Sequence, residues 1–161
     1  MINYASKRAS KSASKSASKS ASDGTSDSTG KNANQQQCFR ALQQKRNQLL
    51  ERLMPLAEQP VTASAEKIAQ PMQEFCQALV NYLAAGHYYI MQHVRGGWPQ
   101  RAAIAQTTES AMRFAEQHEH LAQHTHSTPS WHVIRAQLDR LALLLTDRFD
   151  NEDRLLGDNL S

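Results

Sequence analysis

Seven histidines and one glutamate set among leucines are the side chains of this sequence best equipped for chemistry. His120 and His124 stand four residues apart, which puts both imidazoles on one face of a helix, and a Glu from a neighbouring helix would complete a bundle metal site. On a helical wheel, however, His120 and His124 lie opposite Ile104 and face water. Only His118 turns inward, and no Glu-x-x-His motif occurs. His124 and His126 fall where that helix is expected to fray. The residues therefore point to no metal centre, no cofactor and no enzyme. The alternative is a helical-bundle metal-binding protein or enzyme using His87, His118 and Glu152.

Glu152 needs its own explanation, because a carboxylate on an apolar stripe must find a partner. Arg46, equally out of place on the stripe of the first helix, is the first candidate and His87 the second. A structural ion pair accounts for Glu152 more simply than acid or base work does, since no second carboxylate, nucleophile or phosphate-binding loop accompanies it. Cys38 and Cys76 lie on or beside apolar stripes without CxxC spacing, which reads as two buried thiols in a reducing compartment.

These side chains must be positioned by helices, and Met72 to Val94 is the clearest of them. Met72, Phe75, Cys76, Leu79, Leu83, Gly86, Ile90 and Val94 share about 100° of arc, a stripe suited to a core. The opposite side carries Gln77, Asn81, Ala84, Tyr88 and Gln92. An outward Tyr88 either packs under a loop or anchors a partner, because Tyr buries a large area at small entropic cost.

The first helix is expected from Gln36 to Met54, with Phe39, Leu42, Leu49, Leu50 and Leu53 inward and Pro55 at its end. The second begins between Ala65 and Gln70, with Pro71 either opening it or kinking it. Arg95-Gly96-Gly97-Trp98-Pro99 stops it. The third runs from about Gln100 to Gln123 on a thin stripe that includes Ile104, Thr108, Ala111 and Ala115. The fourth is opened by Thr128 and Pro129 and reaches Leu156, with Gly157 beyond. Its stripe is Trp131, Ile134, Leu138, Leu141, Leu145, Phe149, Glu152 and Leu156. Four amphipathic helices with short links and no strand alternation give an all-α, antiparallel four-helix bundle over residues 36–157.

Residues 1–35 read as a disordered low-complexity tail, with Lys-Ser-Ala-Ser repeating from Lys11, and residues 158–161 as a short end. Of 18 basic and 15 acidic side chains, six and two fall in residues 1–34, leaving 12 and 13 for the rest. The near-neutral bundle is thus no nucleic-acid binder on charge, though a tail that approaches DNA is a further reading. No membrane span or secretory signal is visible, and a cytoplasmic protein is expected.

The run Glu74-Phe75-Cys76-Gln77-Ala78-Leu79-Val80-Asn81-Tyr82-Leu83-Ala84-Ala85-Gly86-His87-Tyr88, with Arg148-Phe149-Asp150-Asn151-Glu152-Asp153-Arg154-Leu155-Leu156 downstream, resembles the regulator of sigma D (Rsd/AlgQ) family of bacterial anti-sigma factors. The resemblance covers roughly residues 36–157. It implies a helical bundle that binds the primary sigma factor of RNA polymerase and acts by sequestration, covering the part of sigma that reads promoters and touches core polymerase. The family's partner-facing positions match Asn81, Ala84 and Tyr88. The position of Asn81 is often Asp in the family, and losing that charge weakens complementarity to a basic sigma segment.

Overall fold

In the computed structural model, which describes residues 26–123 and 130–160, four helices follow one another: α1 Ser26–Ala57, α2 Ala65–His93, α3 Trp98–His118 and α4 Trp131–Leu160. A single 3-10 turn, Leu121–Gln123, follows α3. The described residues contain no strand.

Pairs of side-chain contacts fix the helix directions. Arg52 meets Glu74 at 2.7 Å while the Tyr89 hydroxyl donates to the carbonyl of Gln35, so α1 and α2 run opposite ways. Phe75 meets Phe114 edge-on, and Arg101 reaches the sulfur of Met91, which sets α3 against α2. His118 bonds Gln137 while Arg148 donates to the carbonyl of Ile104, reversing α4 on α3. Arg46–Glu152 at one end and Arg135 to the Gln59 carbonyl at the other close α4 back onto α1. The result is an up-down-up-down bundle, with α1 packed chiefly on α2 and α3 chiefly on α4.

The stripe expected for α2 is buried throughout. Phe75, Leu79 and Met72 are sealed off completely. Burying large apolar side chains contributes roughly 1.5–3 kcal/mol apiece, which is what holds helices of this length together in water. On α1 the inward positions are Leu42, Leu49 and Leu56, seven residues apart, while Leu50 turns outward against expectation.

Several boundaries differ from the sequence reading. α1 starts at Ser26, ten residues before Gln36, and runs past Pro55 to Ala57, because Leu56 belongs to the core and one more turn is needed to bury it. Pro71 lies inside α2, which resolves its two readings in favour of a helix already under way. α3 stops at His118. Gly157 sits within α4 and does not end it. Thr128, Pro129, His124 and His126 lie outside the described residues.

The corner between α2 and α3 is tight for a covalent reason. Gly96 and Gly97 both take left-handed φ, +80° and +64°, a conformation that costs other residues about 1–2 kcal/mol. At Gly97 a Cβ would stand 2.1 Å from Leu155 Cδ1, so α4 packs directly on the bare backbone. Among the described residues no helix is long and apolar enough to cross a membrane.

Candidate partner surface on α2 and the network behind it

The outer face of α2 carries Gln77, Asn81, Ala84, Tyr88 and Gln92, all exposed. Tyr88 keeps 64% of its surface in solvent. Among the described residues no loop covers it. The neighbouring tyrosines contrast with it: Tyr82 is fully buried and Tyr89 is 4% exposed, its hydroxyl turned to Gln35 of α1. One helix thus sends two of its three tyrosine rings inward and holds one out.

Directly behind this face is a buried polar network that joins all four helices. Glu152, with no exposed surface, receives the guanidinium of Arg148 at 2.8 Å, the hydroxyl of Tyr82 at 2.5 Å and Arg46 at 3.1 Å. Arg148, equally buried, also donates to the Ile104 carbonyl, the Tyr82 oxygen and the Thr108 hydroxyl. Arg46 continues outward to Asp153 at 3.0 Å and lies over the Phe149 ring. Phe149 in turn meets Tyr82 edge-on, 5.5 Å between centroids.

Gly86 makes room for this assembly. A Cβ there would fall 3.0 Å from Arg148 Nη2 and 3.2 Å from Glu152 Oε1. Burial, with the Glu152 charge beside it, pushes the Tyr82 hydroxyl far above the ordinary phenol range, so it acts as a hydrogen-bond donor at any physiological pH. Burial opposes the charge on Arg46, but hydrogen bonds and charges from Asp153 and Glu152 more than offset it and raise its pKa.

Glu152 therefore pairs with Arg46 as the sequence suggests, but not with His87, which is exposed. Its closest guanidinium partner, Arg148, and the Tyr82 hydroxyl escape the sequence reading. A usable signal exists for both. Tyr82 follows Phe75 by seven residues and Arg148 follows Leu141 by seven, which puts each within about 20° of a core position. They are passed over because they are polar.

His118 does turn inward, 3% exposed, with Nε2 on Gln137 Oε1 at 2.8 Å, while His120 is exposed. Burial lowers the His118 pKa against the opposing effect of the Gln137 bond. The Glu152 carboxylate is occupied by two guanidiniums and a phenol. His118 belongs to another layer of the bundle. No group of three His, Cys, Asp or Glu suited to a metal ion occurs among the described residues. Cys76 is buried as expected, whereas Cys38 is only half-buried, and neither forms a disulfide.

Two grooves flank the helices. One, between α1 and α2, is lined by Glu51, Arg52, Glu74, Gln77 and Asn81, adjoining the exposed face of α2. The other, between α3 and α4, has Phe114 and Leu141 in its wall and a mixed rim of Arg113, Arg140, Asp147 and Asp150. With Arg154 its lining holds three arginines against two aspartates, and it belongs to the side of the bundle away from Tyr88.

No curated protein and no solved structure matches the chain. Residues 25–159 match a family model described as the regulator of RNA polymerase sigma(70) subunit, Rsd/AlgQ. That span takes in all four helices but for the last residue of α4, and includes the first turns of α1 that the resemblance in the sequence did not reach. The chain belongs to the Rsd/AlgQ family of regulators of the RNA polymerase sigma(70) subunit.

Proposed function

We propose that this protein is an anti-sigma factor that binds the primary sigma factor through the outer face of α2 and regulates transcription by holding sigma away from polymerase. Tyr88 is the central anchor, with Asn81 and Ala84 beside it. The observation that carries the reading is the 64% exposure of the Tyr88 ring on a helix whose other two tyrosines are buried. A large exposed aromatic flanked by small and uncharged side chains suits the centre of an interface, where water must be excluded.

The mechanism is steric and needs no catalytic group. A sigma segment covered by α2 is unavailable to promoter DNA and to core polymerase. Neither nucleic acid nor a membrane takes part, and the setting is the cytoplasm. Asn81 leaves the face without a carboxylate at that position, so attraction to a basic segment comes chiefly from Glu51 in the adjoining groove, where Glu74 is already paired with Arg52.

The test is capture of sigma by the purified chain, by Tyr88→Ala and by Leu145→Ala. Tyr88→Ala weakens binding by about 1–3 kcal/mol and leaves helicity and melting unchanged. Leu145→Ala, at a position 2% exposed, lowers stability by about 2–5 kcal/mol. Equal retention of sigma by Tyr88→Ala and the unaltered chain refutes the assignment.

A further inference from the structure

We propose that the sigma-binding surface turns the corner from α2 to α3, where Met91, Trp98 and Arg101 form a second anchor for an apolar sigma segment that carries carboxylates. This rests on the reading of the chain as a sigma-binding protein and adds a site and a chemistry to it.

Met91 follows Tyr88 by three residues, so the two side chains are neighbours on one helical face. Met91 is 58% exposed. Arg101, from the first turn of α3, lies against Met91 with Nη2 3.2 Å from the sulfur. Trp98 precedes Arg101 by three residues and shares its face, with 79% of its surface exposed. The exposed side chains of Ala84, Tyr88 and Met91 therefore lead to Arg101, whose neighbour on the face of α3 is Trp98.

The corner holds this strip rigidly. Gly96 and Gly97 make the turn in two left-handed residues, and Leu155 packs on the backbone of Gly97. Pro99 follows in the first turn of α3. Trp98 is thus projected from a backbone packed against α4, and with only two side-chain torsions a Trp loses little freedom when covered. A Trp, a Tyr, a Met and an Arg in one patch are the residue types enriched at the centres of protein interfaces.

Charge selects the partner segment. From Asn81 to Arg101 the sequence holds no Asp or Glu, while Arg95 and Arg101 are basic. Toward the start of α2 the sign reverses, with Glu51 and Glu74 beside Arg52. A segment seated on the corner therefore presents apolar side chains to Tyr88, Met91 and Trp98 and carboxylates to Arg101. Its basic side lies toward Asn81. The tail of this chain, rich in lysine, has the wrong charge for the corner.

The test uses the full chain labelled with fluorotryptophan and followed by fluorine NMR while unlabelled sigma is added. Trp131, 5% exposed, is the internal reference. The Trp98 resonance shifts and saturates as sigma binds, and the Trp131 resonance stays. Trp98→Ala and Arg101→Glu each weaken sigma binding roughly tenfold or more without lowering the melting temperature. If sigma binds and Tyr88→Ala weakens it, yet the Trp98 resonance is unmoved and both variants bind within about twofold of the unaltered chain, the second anchor is refuted and the α2 reading stands. If the unaltered chain binds no sigma, both fall. A Trp98 shift produced by raising the chain's own concentration or by anionic vesicles, and not by sigma, assigns the corner to self-association or to lipid and overturns the proposal.

Discussion

Replacing Glu152 by Gln tests whether the network behind α2 is held by charge. The side chain has no exposed surface, and three donors converge on it: Arg148 at 2.8 Å, the Tyr82 hydroxyl at 2.5 Å and Arg46 at 3.1 Å. Glutamine keeps the volume but removes the charge, and Arg148 remains buried with only neutral partners. Removing one side of a buried pair costs about 3–5 kcal/mol. For a domain of this size that corresponds to a fall of roughly 10–20 °C in melting temperature. Arg46→Ala costs less, about 1–2 kcal/mol, because Glu152 keeps Arg148 and Tyr82 and because Asp153 is 54% exposed. Replacing the buried centre as a unit, with Arg148→Met, Glu152→Leu and Tyr82→Phe together, leaves stability within about 2 kcal/mol of the parent or raises it. Urea denaturation followed by circular dichroism ranks the three variants. A cost below about 1 kcal/mol for Glu152→Gln, or an equal cost for Arg46→Ala, refutes the account.

Three further outcomes follow from burial and backbone geometry. Gly97→Ala destabilises by roughly 2–4 kcal/mol, through left-handed strain plus collision with Leu155, whereas Gly96→Ala, with open space around it, costs only about 1–2 kcal/mol; equal melting temperatures for the two rule out the packing contribution. Because His118 is held below its ordinary value of 6.5, the unfolded chain takes up that proton more readily. Its contribution to stability is complete above the unfolded value and is lost as pH falls through the lowered folded one. Urea midpoints measured down to about pH 5 show this decline, and His118→Gln flattens it; identical slopes contradict the assignment. The Cys76 thiol, pushed up to about 12 mainly by burial and further by the charge of Glu119, reacts with a maleimide only on unfolding, while half-buried Cys38 reacts in the native protein; comparable native rates at both sites exclude a sealed Cys76.

The architecture was readable because period-3.6 stripes on α2 and α4 are long and continuous. The exposed Tyr88 edge follows from the same wheel. Ends were less readable. Ser26 to Gln35 carry almost no apolar side chains, so the early turns of α1 leave no hydrophobic trace, and Pro55 suggests a stop that burial of Leu56 overrides. The network was half legible. Glu152 and Arg46 stand out as charges among leucines, but Tyr82 and Arg148 become core residues only because each finds partners on another helix, and pairings across the chain leave no mark in local spacing. The aromatic corner was hidden differently: Trp98 reads as part of a helix-breaking run until the turn that projects it is known.

The bond from Arg46 to Glu152 spans 106 residues of sequence. The α1–α2 and α3–α4 hairpins, by comparison, close through short links. Loop-closure entropy therefore favours contacts between consecutive helices that form early and an α1–α4 joint that forms late. Interactions made after the transition state slow escape from the native state without hastening arrival at it. The residues that brace α2 from within thus act as a latch on the finished bundle, setting how long the recognition face persists once folded.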